Sequence, residues 1–263
     1  ICQARRGAGG WGEPEVVSFS GERTWRDAEP CLSPDGGRLF FLSTRTPPGM
    51  EPRPGWGHQH IWVVDRNETG WGEPALLGAP IFSEQGEYYP SLTRDQTLYY
   101  TRAGEKPRES SIWRARWRNG NYQAPEKLPV QVNAVNTQFN ACIAPDESWL
   151  VLCAAGHPGQ PEGAGFYVSF RLPDDRWSAV LPLAEVLGLP GAQAVAASVT
   201  PDGSTLMLSI QVPAQGSGQA RITCQELYHP VQEPGNGLSD LYQVPTSVLI
   251  PLREKARFEQ KER

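Results

Sequence analysis

An all-β fold of β-propeller blades is what this sequence predicts, on three observations. A strand-turn-strand segment recurs four times along the chain, and a further apolar strand follows each recurrence. The composition suits short strands joined by tight turns: of 263 residues, 27 are Gly and 25 are Pro, while aromatic side chains make up 10% and include nine Trp. At this length a β-rich chain is expected to form one domain.

The first element is half a blade. Ile1-Cys-Gln-Ala-Arg-Arg, followed ten residues on by Trp11-Gly-Glu-Pro, repeats the pattern of Ile112-Trp-Arg-Ala and Tyr122-Gln-Ala-Pro with the same offset. These two strands are therefore the third and fourth of a blade; its hairpin is expected upstream of Ile1, the alternative being that inner strands from the C-terminal end complete it.

The hairpins come next. PCLSPDGGRLFF (30–41), PSLTRDQTLYY (90–100), ACIAPDESWLVL (141–152) and ASVTPDGSTLML (197–208) align on Asp35, Asp95, Asp146 and Asp202, which are 60, 51 and 56 residues apart. In three of them Pro fixes φ at the second turn position. Asp accepts backbone hydrogen bonds, and Gly, where present, tolerates φ > 0. In the first strand the apolar column Leu32, Leu92, Ile143 and Val199 alternates with the small column Cys31, Ser91, Cys142 and Ser198, the period of two of a strand with unlike faces. The second strands, Leu39-Phe-Phe-Leu and Leu98-Tyr-Tyr-Thr among them, are nearly continuous apolar runs, as suits a sheet covered on both sides.

Third strands are expected at Ile61-Trp-Val-Val, Ile112-Trp-Arg-Ala, Phe166-Tyr-Val-Ser and Leu241-Tyr-Gln-Val. Fourth elements open on an aromatic residue at Trp71, Tyr122 and Trp177, and the last repeat has a fourth strand at Ser247 to Leu252. Four strands per unit make a propeller blade, so the chain reads as four full blades plus the N-terminal half-blade over residues 1–252. Residues 253–263 form a polar tail, either a short surface helix or frayed chain. One short helix is expected within Ser178 to Leu189, and the Pro- and Gly-rich loops Thr46 to Gln59 and Val212 to Ser239 read as mobile.

Charge and motifs exclude several functions. A net charge of −5 and a pI near 5.5 give no general basic field for nucleic acid, and no apolar run is long enough for a membrane span. The five cysteines, Cys2, Cys31, Cys142, Cys153 and Cys224, show no metal-ligand spacing, and Cys31, Cys142 and Cys153 fall in strands where a free thiol packs as a small hydrophobe. No metal or cofactor is expected. His58 and His60 have a usable spacing for a metal but lack a third ligand. There is no G-x-S-x-G, H-E-x-x-H, P-loop or G-x-G-x-x-G motif.

The blocks SPDGGRLFFLSTR, GEYYPSLTRDQTLYYTR and QFNACIAPDESWLVLCAAG, with the Trp-Gly-Glu-Pro linkers, resemble the TolB-like, WD-related β-propeller repeats of bacteria, particularly the stand-alone extracytoplasmic members. The resemblance spans residues 1 to about 252. It implies a six-bladed ring in complete members and a periplasmic or secreted location. Arg94 departs from the pattern, standing where the turn proline is expected.

Propellers bind at the axial mouth, through the loops entering the inner strands. The aligned residues there are Asp27, Glu87, Gln138 and Ala194, then Glu29, Tyr89, Asn140 and Ala196; Arg45 and Arg102 follow second strands and could grip a carboxylate or phosphate, or bridge blades. Two roles are open for the rim: a site for a ligand, or strand-end capping that ties blades together. The leading functional reading is a non-enzymatic binding or scaffold propeller presenting its rim to a protein, peptide or glycan. The alternatives are a carbohydrate-active or peptide-processing enzyme using, for example, Glu29 or Glu87 with His157, and an accessory domain of a longer envelope protein.

Overall fold

The computed structural model describes residues 1–158, 160–188, 192–212 and 238–259. Most of the expected loop between Val212 and Ser239, together with Cys224 and the end of the tail, lies outside the described residues. The chain divides into two compact units, Ile1–Pro107 with Trp113–Lys127, and Arg108–Ile112 with Leu128–Arg263. Both are built of antiparallel meanders, so the all-β expectation of propeller-type blades holds for each.

In the first unit the half-blade is formed by Cys2–Gln3 pairing with Glu15–Val16. The next blade runs Asp27–Leu32, Arg38–Ser43, His60–Asn67 and Ala75–Leu76, each strand antiparallel to the one before. Its successor runs Glu87–Leu92, Leu98–Ala103, Ser110–Ala115 and Glu126–Lys127, with residues 113–115 of the third strand in this unit. Leu39, Phe41, Trp62 and Val64 pack with Ile1, Phe19 and Trp71, whereas Phe40 and Ile61 pack with Ile81, Leu98 and Tyr100. Alternate residues of one strand thus feed two separate cores, which is why these second strands are apolar at every position.

The second unit holds the third hairpin, Thr137–Ile143 with Trp149–His157, followed by Gln160–Phe170 and the short outer strand Leu181–Pro182. The last sheet runs Gln193–Val199, Thr205–Gln211 and Ser239–Pro245. One core joins both sheets, with Cys153, Val168, Phe170, Leu206, Leu208 and Leu252 among its buried members. The expected short helix is Ala184–Leu187.

Two sequence expectations need correction. The fourth strand expected at Ser247 to Leu252 is instead a 3₁₀ turn, Thr246–Leu249, running into the helix Ile250–Lys255. The apolar residues here, Val248, Leu249, Leu252 and Ala256, recur at three and four rather than two, Pro251 is tolerated in a first helical turn, and Leu249 and Leu252 are the buried pair. Beyond that helix Phe258 bridges Ser178. Nor do the aromatic residues of the linkers open the outer strands: Trp71 and Tyr122 close small ribbons with Arg66 and Trp117, and the outer strands begin after the proline that follows. Proline has no N–H to give the ladder, which delays pairing until it is past. The linker aromatics pack instead: Trp71 donates its indole N–H to Gln3 Oε1 at 3.2 Å, and Tyr122 sits against the Phe40 core.

Candidate functional site

All four hairpins share a turn. The residue after the turn aspartate has positive φ in each: Gly36 (69°), Gln96 (66°), Glu147 (60°) and Gly203 (78°). Asp Oδ1 accepts the backbone N–H two residues on, from Gly37, Thr97, Ser148 and Ser204 at 3.0 to 3.2 Å. In three turns it also accepts the hydroxyl two residues before it, from Ser33, Thr93 and Thr200. These bonds hold Asp35 below the usual carboxylate range and Asp202 down to about 2. The Asp column shared by the four repeats is therefore a set of turn locks, at the far end of each inner strand from its entry loop.

A second shared feature lies at the start of the inner strands. Pairing with the second strand skips between Ala28 and Cys31, between Tyr88 and Ser91, and between Phe139 and Cys142, and a shorter skip separates Ala194 from Ala196. At the three wide bulges the residues are Glu29 (φ 56°), Tyr89 (φ 54°) and Asn140 (φ 52°), all in the left-handed region. Nothing in the residue types predicts that conformation for Glu or Tyr, which disfavour it; only the alignment of the three positions hinted at a shared role.

The bulged residues bond across neighbouring strands. In the first unit Glu29 Oε2 accepts the Tyr89 N–H at 2.8 Å. Burial pushes the Glu29 carboxyl up to about 7, against the opposing effect of that hydrogen bond. In the second unit Asn140 Nδ2 donates to Val195 O at 2.7 Å.

The outer candidates of the rim are occupied with each other. Asp27 takes a two-pronged contact from Arg45, Nη2 to Oδ2 at 3.1 Å, and a hydroxyl bond from Ser43 at 2.8 Å. Only 1% of the Asp27 side chain is exposed. Arg45 also donates to Phe19 O at 2.6 Å and lies 4.8 Å over the Trp25 ring. Glu87 is equally buried, with Arg102 Nε 3.4 Å from Oε1, His60 Nδ1 3.1 Å from Oε2, and the Ser83 hydroxyl bonded to Oε1. Gly86 makes that placement possible: at φ 99° a Cβ there would lie 2.7 Å from Gln59 O, the same carbonyl that accepts the Glu87 N–H at 2.8 Å. Both arginines thus bind the carboxylate of their own hairpin, not one on another blade. In the second unit Gln138 is buried, its Nε2 donating to Val135 O, and Ala194 carries no polar group.

His60, considered above as a metal ligand, is the partner of Glu87. His58 turns Nε2 to Glu51 O at 2.8 Å, and among the described residues no group of three His, Cys, Asp or Glu is placed to hold a metal. The carboxylate network also uses Ser83, which carries no sequence signal beyond standing four residues before Glu87. His157 packs on the Tyr167 ring at 4.5 Å in the second unit. The described cysteines, Cys2, Cys31, Cys142 and Cys153, are free thiols, with Cys31 only half-buried.

Compared with known proteins, the chain matches no family model and no curated sequence. Solved structures similar to it include TolB from Acinetobacter baumannii (14% identity, TM-score 0.48), covering 73% of this chain and 39% of that one. A puromycin-hydrolysing peptidase from Mycobacterium tuberculosis aligns over 95% of this chain and 30% of its own (14% identity, TM-score 0.46). A protein of unknown function from Dyadobacter fermentans aligns over 74% and 64% (14% identity, TM-score 0.49). The chain therefore spans less than two thirds of each. Among the described residues no helix is long and apolar enough to cross a membrane.

Proposed function

We propose that this chain is a non-enzymatic binding or scaffold protein that presents the bulged starts of its inner strands to a protein, peptide or glycan, in the periplasm or outside the cell. The observation that carries this reading is the left-handed backbone at Glu29, Tyr89 and Asn140. For Glu29 and Tyr89 this conformation costs about 1–2 kcal/mol, whereas Asn140 adopts it at little cost, and strain of this kind collects where a ligand is gripped. The same bulges turn Tyr89 and Asn140 out of the alternating pattern of their strands, leaving both half-exposed.

In the first unit Asp27 and Glu87 support the frame of the bulges at Glu29 and Tyr89. Each is buried, matched by an arginine and bonded to a hydroxyl, so neither carboxylate is placed to exchange a proton with a substrate. Arg45 and Arg102 are committed to them in the same way and serve as framework.

The test uses the full chain, ¹⁵N-labelled, titrated with a pool of short peptides and, separately, a pool of oligosaccharides. Saturable shifts are expected at the Tyr89 and Asn140 amides. Tyr89→Gly should fold, since glycine accepts φ 54°, yet bind more weakly. Binding unchanged in Tyr89→Gly, or no shift at either amide, would overturn the proposal; conversion of either pool would replace it with the enzymatic reading.

A further inference from the structure

A second feature lies away from the bulged residues, on the loops of the first full blade. A cleft of about 160 Å³ is lined by Arg23, Thr24, Trp25, Arg26, Thr44 and Gly55. It joins the segment entering the inner strand Asp27–Leu32 to the loop that leaves the second strand Arg38–Ser43. Two hydrogen bonds clamp these segments, from Arg26 N to Thr44 Oγ1 at 2.9 Å and from Thr44 N to Arg26 O at 3.0 Å. The Arg26 and Thr44 sides of the cleft are thus fixed to each other, which favours a preformed site.

The cleft is rich in unused hydrogen-bond donors. Arg23 and Arg26 are exposed, and neither makes an ion pair among the described residues, although the chain as a whole is acidic. The Arg26 guanidinium lies 5.0 Å over the ring of half-exposed Trp56 and beside Gly55, so it is held in place without being neutralised. The Arg45 guanidinium lies 4.8 Å from the centre of the Trp25 ring, and the indole Nε1 is buried with no hydrogen-bond partner. Thr44 is buried and accepts through Oγ1, keeping its own hydroxyl hydrogen to give.

We propose that this cleft binds a small ligand through an oxyanion group, a carboxylate or a phosphate. Two arginines and two threonines among the lining residues supply donors, Trp25 supplies an aromatic wall, and no carboxylate lines the cleft. The volume is below the roughly 300–1,000 Å³ of sites for drug-sized ligands and suits one acidic group with the part of the ligand next to it. Arginine and tryptophan together favour an anion borne on a flat or ring-shaped body. This inference stands apart from the proposed function and does not require it.

The test titrates the ¹⁵N-labelled full chain with glucuronate, glucose 6-phosphate and glucose, following the indole resonances. Trp25→Phe identifies the Trp25 indole signal and keeps an aromatic ring in the wall. Saturable movement of that signal by glucuronate alone assigns a carboxylate site, by glucose 6-phosphate alone a phosphate site, and by both a general oxyanion site. Arg26→Gln should weaken binding about tenfold or more while leaving the melting temperature unchanged. Tyr89→Gly should leave it intact, separating this site from the bulged strands. The proposal fails if neither anion moves the Trp25 signal at millimolar concentration, if glucose moves it equally, or if Arg26→Gln binds as the parent chain does.

Discussion

At the scale of single residues, Glu29 is the group whose surroundings depart furthest from its sequence expectation. Its backbone is left-handed and its carboxyl, pushed up by burial to about 7 from 4.5, accepts the Tyr89 N–H. A raised folded value means the folded chain holds the proton more tightly than the unfolded one. The stability attached to protonated Glu29 is full below pH 4.5 and is lost as pH rises to about 7. Glu29→Gln keeps an acceptor for Tyr89 and removes the charge, so it should flatten this window and add about 1–3 kcal/mol of stability at pH 8. Urea unfolding at pH 5 and pH 8 measures it; parallel pH profiles for the two chains would show that Glu29 titrates normally.

Single residues also explain what became of the other rim candidates. In the sequence Asp27 and Glu87 were open to ligand binding or to capping that ties blades together, and Arg45 and Arg102 to gripping an anion or bridging blades. The antiparallel register sets Asp27 opposite Ser43 and Glu87 opposite Arg102, so opposite charges meet inside one hairpin. Buried charge must find such a partner, and the one it found lies fifteen to eighteen residues away in sequence, across the hairpin.

At the scale of elements, the turn is the unit that repeats most faithfully. Asp in each turn accepts the same backbone N–H, and the next residue is left-handed whether it is Gly, Gln or Glu. Where the side chain has no compensating contact, glycine should be better. Gln96→Gly is expected to stabilise the chain by up to about 1 kcal/mol. Glu147→Gly should not, because Glu147 Oε2 pairs with Arg171 Nη1 at 2.8 Å with both side chains mostly buried. Thermal melts of the two variants side by side decide this, and a gain for Glu147→Gly would mean that the ion pair contributes little.

The outer strands make the opposite point about elements. They are two residues long, and the aromatic that signals each one does not sit in it. A strong side-chain signal marks where a residue packs, and Trp71 and Tyr122 are partly buried against core clusters rather than placed in the outer strands.

At the scale of the whole molecule, stability rests on second strands that feed a core on each face. Phe40 is 2% exposed, and Phe40→Ala should cost about 3–5 kcal/mol. Thiols report the same interior: Cys142 and Cys153 are buried, and burial pushes the Cys153 thiol far up, while Cys2 is exposed. In native chain Cys2 should react readily with a thiol reagent and Cys153 only as fast as the protein opens. Cys153 labelling as fast as Cys2 would show that the strands around it are not a persistent core.

The sequence by itself determined the repeat, the four hairpins, their turns and the third strands, because each depends on local chemistry repeated at a fixed register: Asp and Gly in a turn, apolar runs in a covered strand. It also located the positions 29, 89 and 140 as equivalent. Only the tertiary structure decided that these positions are left-handed, that Asp27 and Glu87 are spent on arginines of their own hairpins, that His60 serves Glu87, and that the last outer strand is a helix. Those outcomes depend on which groups meet across strands and on how deeply they are buried, and a linear pattern does not carry the distance between residues far apart in the chain.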